Sequence, residues 1–189
     1  FLGGISRNFA SNLVLGTGRR LVLEADEYDR SFLQLTPYIA VITATDPDHL
    51  DIYGTKDNYL EGFAQFTERI RPDGYMIVHE GLELVPRPAE GVTCYTYGRD
   101  KGDFRAENIR IGGGRILFDY ISPLGNIKDI EPGVPVSINI DNGIAAMAVA
   151  QLSGATNEEI KAAMANFAGV ERRFDFKLKQ DDIVLLSEF

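Results

Sequence analysis

Along this chain, short unbroken apolar runs alternate with a helical-period stretch and then give way to glycine-punctuated β segments. Leu21-Val22-Leu23 and Tyr38-Ile39-Ala40-Val41-Ile42 are continuous apolar runs bounded by polar residues, the pattern of strands covered on both faces in a mostly parallel sheet. From Lys56 to Ile70 the apolar residues Tyr59, Leu60, Phe63, Phe66 and Ile70 recur at helical spacing, and Arg71-Pro72-Asp73-Gly74 stops the helix. Tyr75-Met76-Ile77-Val78 reads as the next strand, so this segment predicts a strand-helix-strand crossover between parallel neighbours.

From Thr93 to about Ile130 the texture changes. Thr93 to Tyr97, Phe104 to Ile111 and Arg115 to Ile121 are β-like, with a Gly112-Gly113-Gly114 turn between the last two, and together they predict a small antiparallel sheet. Helical patterning returns at Asn142 to Leu152, through Ile144, Met147, Ala148 and Leu152, and again at Asn157 to Phe167. Thr156 or Asn157 serves as N-cap of the second helix, and Gly169 follows its end. The tail from Arg173 carries two short β-like stretches, Phe174-Asp175-Phe176 and Ile183-Val184-Leu185-Leu186. The fold class expected is α/β: a mostly parallel sheet flanked by helices, with a small antiparallel subsheet.

Composition narrows the function. The 189 residues, 44% hydrophobic and 25% charged, suit one α/β domain with at most a small appendage and set disorder aside. The net charge of -9, with Lys and Arg scattered, offers no basic stripe to a nucleic-acid backbone or an anionic membrane. Acidic proteins still bind nucleotides through Mg2+ and local dipoles, so the charge does not exclude a nucleotide ligand. The single cysteine, Cys94, cannot form an internal disulfide or a zinc cluster, which fits a cytoplasmic location. No apolar run approaches the roughly 20 residues of a membrane span. The opening Phe1-Leu2-Gly3-Gly4 has neither an initiating Met nor a basic leader and reads as a trimmed beginning.

Four constellations carry candidate chemistry. Glu24-Ala25-Asp26-Glu27-Tyr28-Asp29 sets four carboxylates directly after an apolar run, and the carboxyl ends of strands are where open α/β sheets place ligands. Such crowding suits a hard cation, for which Mg2+ takes one or two carboxylates and completes its shell with water and phosphate. A solvated acidic turn that caps the following helix accounts for the same residues equally well. Thr45-Asp46-Pro47-Asp48-His49-Leu50-Asp51 follows the second run, with one of the two histidines among three acids; His49 is a ligand for metal or phosphate, or the partner of a neighbouring Asp. His79, beside Glu80-Gly81, reads as surface. Asn139-Ile140-Asp141-Asn142 stands at a helix start, where carboxamides match a purine edge or cap the helix. Glu171-Arg172-Arg173-Phe174-Asp175 offers guanidiniums that clamp phosphate or balance surface acid.

Several catalytic signatures do not occur. The chain contains no Gly-x-x-x-x-Gly-Lys-Ser/Thr loop, no Gly-x-Ser-x-Gly elbow and no His-Glu-x-x-His pair. Gly112-Gly113-Gly114 stands between two strands, as a hairpin turn does and a phosphate loop does not.

In order, Glu24-Ala25-Asp26-Glu27, Asp48-His49-Leu50-Asp51, Asn139-x-x-Asn142 before an Ala-rich helix, and Arg172-Arg173-Phe174-Asp175-Phe176 resemble the central domain of the Mur ligase family. The likeness runs from Gly3-Gly4-Ile5-Ser6 to the stretch after Phe176. It implies a P-loop-NTPase-like domain over residues 1–172, and a linker or the start of a C-terminal domain over residues 173–189. The family P-loop is expected upstream of Phe1, and further N- and C-terminal domains complete such enzymes. The chemistry implied is ATP-dependent amide formation through an acyl phosphate, with ATP and Mg2+ as cofactors. By the same resemblance Glu24 and His49 are catalytic metal ligands, Asn139 and Asn142 meet adenine, and Arg173 lies near the nucleotide. Asp26 and Tyr28 either face substrate or fix the loop.

Two departures refine the resemblance. Ile138 stands where many relatives have His before the adenine motif. Sister ligases that add later amino acids carry a carbamylated lysine on the helix after the His motif, whereas Tyr59 to Glu68 contains no lysine, in agreement with the branch that joins L-alanine to UDP-N-acetylmuramate in peptidoglycan synthesis. Alternatives are a recycling ligase that attaches intact peptides to the same sugar, and a non-catalytic binding module of the same fold. Without a P-loop, the chain taken alone is expected to bind Mg-ATP weakly and to be inactive.

Overall fold

The computed structural model describes residues 1–171 and the backbone of Asp175–Lys179 and Val184–Ser187. Arg172, Arg173 and Phe174 lie outside the described residues.

The parallel sheet is built from β1 (Ile39–Ile42), β2 (Tyr75–His79) and β3 (Thr93–Tyr97), hydrogen-bonded in that order. A short helix, α1 (Leu50–Tyr53), and a longer one, α2 (Lys56–Glu68), connect β1 to β2. Thr55 starts α2 by accepting the Asn58 N–H on its hydroxyl at 3.2 Å, and Pro72 prevents continuation beyond Ile70. Gly74 then admits a close approach: a Cβ there would lie 2.3 Å from the Tyr38 carbonyl oxygen. That approach lets Tyr75 N–H reach the same carbonyl at 2.8 Å and sets the β1/β2 register.

Neighbouring residues of β2 face opposite sides, as the strand period requires. Met76 joins Phe32, Ala40, Phe66 and Ile70 in the cluster under α2, with Phe32 and Phe66 stacked at 5.0 Å. Ile77 joins the main core on the other side, with Tyr97, Phe104, Phe118, Tyr120, Ile140 and Ile144. Coverage of both faces is why these strands are apolar without alternation.

The antiparallel sheet consists of β4 (Arg105–Gly112), β5 (Arg115–Ile121) and β6 (Ile127–Ile130). Gly113 and Gly114, at φ of 58° and 71°, form the β4/β5 turn. Helix α3 (Ile138–Leu152) packs against both β3 and β4, burying Ile140, Ile144, Met147 and Ala148. Helix α4 (Asn157–Asn166) begins with a reciprocal cap: Glu159 N–H donates to Thr156 Oγ1, and Thr156 N–H donates to Glu159 Oε2 at 2.8 Å. The strands β7 (Asp175–Lys179) and β8 (Val184–Ser187) pair antiparallel with each other.

Four sequence expectations change. Leu21-Val22-Leu23 is not a buried strand: it has no ladder, and Leu21 and Val22 are 78% and 70% exposed. Its backbone is held by the Phe1 amine on the Val22 carbonyl and by the Glu24 N–H on the Phe1 carbonyl. An apolar run becomes a strand only where a neighbour supplies ladder bonds and cover, and the described sheet ends at β1. Thr93 to Tyr97 joins the parallel sheet, not the antiparallel one, because residues 80–92 carry the chain back to run beside β2 in the same direction. Helix α3 begins at Ile138, four residues before Asn142, so the asparagine pair lies within its first turns. Helix α2 does include a lysine, at its first residue, where Lys56 Nζ pairs with Glu83 at 2.5 Å.

Candidate functional site

Two acidic segments meet beyond the carboxyl end of β1. The chain from Glu24 to Gln34 turns tightly, with Asp29 and Arg30 both in the left-handed region at φ of 49° and 57°. Consecutive non-glycine residues there are strained, and surrounding bonds must hold them. Asp26 supplies much of that hold: its carboxylate accepts the Tyr28 N–H at 2.9 Å, and its carbonyl accepts the Phe32 N–H and the Ser31 hydroxyl. Asp26 therefore fixes the loop. Tyr53 adds a strut from α1, its phenol donating to the Glu27 carbonyl at 2.6 Å, while the Arg30 guanidinium lies 5.3 Å from the Tyr53 ring centre.

His49 is the residue before α1 and is also left-handed, at φ 51°. Its N–H donates to Asp48 Oδ1 at 2.7 Å. The imidazole is half-buried among three groups: Glu27 Oε1 at 3.6 Å from Nε2, Asp48 Oδ2 at 3.8 Å, and the Tyr28 ring, edge-on at 5.1 Å. Tyr28 thus packs on the histidine.

Beside these groups lies a cleft of about 320 Å³. Glu27, Asp46 and Asp48 line it together with Val41, Tyr59 and Phe63. The Tyr59 phenol is pushed up to about 12 by burial first, and then by Glu27, Tyr53, Asp48 and Asp46.

Glu24, singled out from the sequence, is exposed, and its carboxylate accepts the Gly3 N–H at 2.6 Å. The acid facing His49 is Glu27. Sequence reasoning passed over Glu27, Asp46 and Asp48 as individual ligands, because four neighbouring carboxylates carry no internal signal of which one turns inward. Among the described residues no group of three or more His, Cys, Asp or Glu side chains converges as a ready-made metal cage. Hard carboxylate oxygens beside an open cleft nevertheless suit Mg2+, which needs few protein ligands when phosphate and water supply the rest.

The asparagine pair sits elsewhere along the same sheet edge. Asn139 is half-buried and donates to the Val134 carbonyl at 3.0 Å, while Asn142 is exposed three residues on, along the same helix face. Arg173 falls outside the described residues. His79 is not simply surface: its ring packs edge-on against buried Tyr97 at 5.0 Å, and Nε2 lies 3.9 Å from Asp141 Oδ1.

Residues 8–150 match the family model of the Mur ligase middle domain. The UDP-N-acetylmuramate-L-alanine ligase of Phocaeicola vulgatus is 63% identical over 190 residues, a match covering 100% of this chain and 42% of the relative. The ligase of the same name from Parabacteroides distasonis is 55% identical, with 100% and 41% covered. The chain therefore spans about two fifths of the length of these curated relatives. Among solved structures, the UDP-N-acetylmuramate-alanine ligase of Thermotoga maritima superposes with a TM-score of 0.82 at 23% identity, covering 100% of this chain and 43% of that one. A parallel sheet edged by acids, a small antiparallel sheet and the middle-domain match lead to one assignment: the chain belongs to the Mur ligase family, as its middle domain.

Proposed function

We propose that this chain is the central ATP-handling part of a cytoplasmic enzyme that joins L-alanine to UDP-N-acetylmuramate at the expense of ATP, a step of cell-wall peptidoglycan synthesis. The observation that carries the reading is 63% identity, over the whole chain, to a relative of that name. Among the described residues no helix is long and apolar enough to cross a membrane, and the reading requires none. Segments beyond this chain, including a P-loop upstream and domains on either side, belong to the same proposal.

In this reading the substrate carboxylate attacks the γ-phosphorus of ATP, ADP leaves, and an acyl phosphate forms. The amine of L-alanine then attacks the acyl carbon and expels phosphate, leaving the amide. Bound Mg2+ would supply positive charge against the developing negative charge of phosphoryl transfer. Glu24 and His49 are the residues assigned to hold it, with Glu27 beside His49 as a further, carboxylate donor. Asn139 and Asn142 present donors and acceptors to adenine, and Arg173 is assigned to the nucleotide by the family resemblance alone. The role of the fold is positional: the Asp26 bonds and the Tyr53 strut hold the acidic loop before any ligand arrives.

The test is phosphate release by the whole protein in UDP-N-acetylmuramate, L-alanine and Mg-ATP. Release should need all three, and Glu24→Ala or His49→Ala should slow turnover by about a hundredfold. Both side chains are at least partly exposed, so the melting temperature should barely move. Unchanged turnover with a sharply lowered melting temperature would show a structural role instead. Release driven only by an intact peptide in place of L-alanine would favour the recycling chemistry, and no release with any amine would favour a binding module.

A further inference from the structure

The start of α3 is held by a single guanidinium. Arg99 follows β3, and its described side-chain hydrogen bonds all reach the start of that helix. Its Nε and Nη2 donate to Asp141 Oδ2 at 3.2 and 2.5 Å, Nη1 donates to Ser137 Oγ at 2.9 Å, and Nη2 donates to the Ser137 carbonyl at 2.9 Å. Ser137 lies two residues before Asn139 and Asp141 two after it, so Arg99 brackets one asparagine and grips the neighbour of the other. The Asp141 side chain is only 15% exposed, and its second oxygen faces His79.

This arrangement does something that core packing does not. Ile140, Ile144 and Met147 already fix α3 to the core, but apolar burial is non-directional and tolerates small rotations of a helix end. Ser137, the N-cap residue, makes no side-chain cap bond; its hydroxyl accepts from Arg99 instead. The first turn has backbone bonds from the Asn139 N–H to the Val136 carbonyl and from the Ile140 N–H to the Ser137 carbonyl, and the Asn139 side chain reaches the Val134 carbonyl, but it has no side-chain cap. A planar fork that contacts two residues four apart supplies orientation in its place.

We infer that Arg99, acting through Ser137 and Asp141, is a positioning residue for the nucleotide-base contacts of Asn139 and Asn142. The inference rests on the ligase reading above. It concerns base recognition and leaves phosphoryl transfer to other residues, so its effect falls on KM and nucleotide choice, with kcat maintained.

The experiment measures KM for ATP, kcat, the ATP-over-GTP ratio of kcat/KM, and the melting temperature in the whole protein and three variants: Arg99→Ala, Arg99→Lys and Asn142→Ala. Arg99→Ala should raise KM for ATP by about tenfold and narrow the ATP preference, with kcat within about twofold, as expected when oriented groups lose their placement. Arg99→Lys, whose ammonium cannot span Ser137 and Asp141 together, should fall between and remains informative if the alanine variant folds poorly. Asn142→Ala should shift the same two quantities. If Asn142→Ala raises KM while both Arg99 variants change only the melting temperature, the positioning role is overturned and the adenine reading stands. If Asn142→Ala leaves KM and nucleotide preference unchanged, the adenine reading fails and the inference falls with it.

Discussion

The main core and the first 27 residues treat similar apolar side chains in opposite ways. In the core Phe118, Ile130, Ile140 and Ile144 are fully buried between α3 and the two sheets. In the opening stretch Leu15, Leu21 and Val22 remain 86%, 78% and 70% exposed. Hydrophobicity is equal in the two regions; neighbours are not. Each core strand has a ladder partner and a helix over it, whereas Leu21 to Leu23 has neither among the described residues. Acids placed by such a segment depend on local bonds, such as the Gly3 N–H on Glu24, while Asp46 and Asp48 follow a strand held by its ladder to β2.

The sharpest way to expose this contrast is truncation of the same kind in each region. Phe118→Ala should cost about 3–5 kcal/mol by leaving a cavity that close packing cannot refill, read from denaturant unfolding of this chain. Leu21→Ser should change stability by no more than about 0.5 kcal/mol. Equal costs would mean that the opening stretch is packed in solution. An effect smaller than that of Phe118→Ala is expected from Gly74→Ala. The added methyl would press on the Tyr38 carbonyl, costing about 1–3 kcal/mol as overpacking does; retention of full stability would remove the argument for the β1/β2 register. The smallest effect concerns the cap of α4. Bonds from the Thr156 N–H, first, and the Thr156 hydroxyl hold the Glu159 carboxyl below its usual value of 4.5. A lowered folded value means the contribution is complete above the unfolded carboxylate range and is lost as pH falls through the folded value. The wild-type melting temperature should therefore fall more than that of Glu159→Gln between neutral and acidic pH, and parallel curves would refute the contribution.

Much of the architecture was legible before any coordinates. Periodicity located α2 and α4, and apolar runs located β1 and β2, because each is closed by local punctuation such as Thr55, Arg71-Pro72 or Thr156. The pairing of Thr93 to Tyr97 was not legible, since nothing within a five-residue strand states the direction of its neighbour. The site divides similarly. The order of acidic, histidine and asparagine motifs pointed to the family, and the structure brings His49 to Glu27, while Glu24 is bound to the Gly3 N–H. It was silent on Glu27 as the acid that meets His49, and on Arg99 reaching Asp141 across 42 positions. Such contacts arise from where sheet edges converge, and spacing along the chain does not encode them.

The proposed cation site is tested most directly by replacing Mg2+ with Mn2+ in the whole protein with ATP and recording the nitrogen coupling to the bound ion by electron-nuclear double resonance. The account predicts a coupling that disappears in His49→Ala, and an Mn2+ affinity in the presence of ATP that falls by about tenfold or more in Glu24→Ala. An ion bound equally well by both variants, with no nitrogen coupling in the wild type, would contradict it.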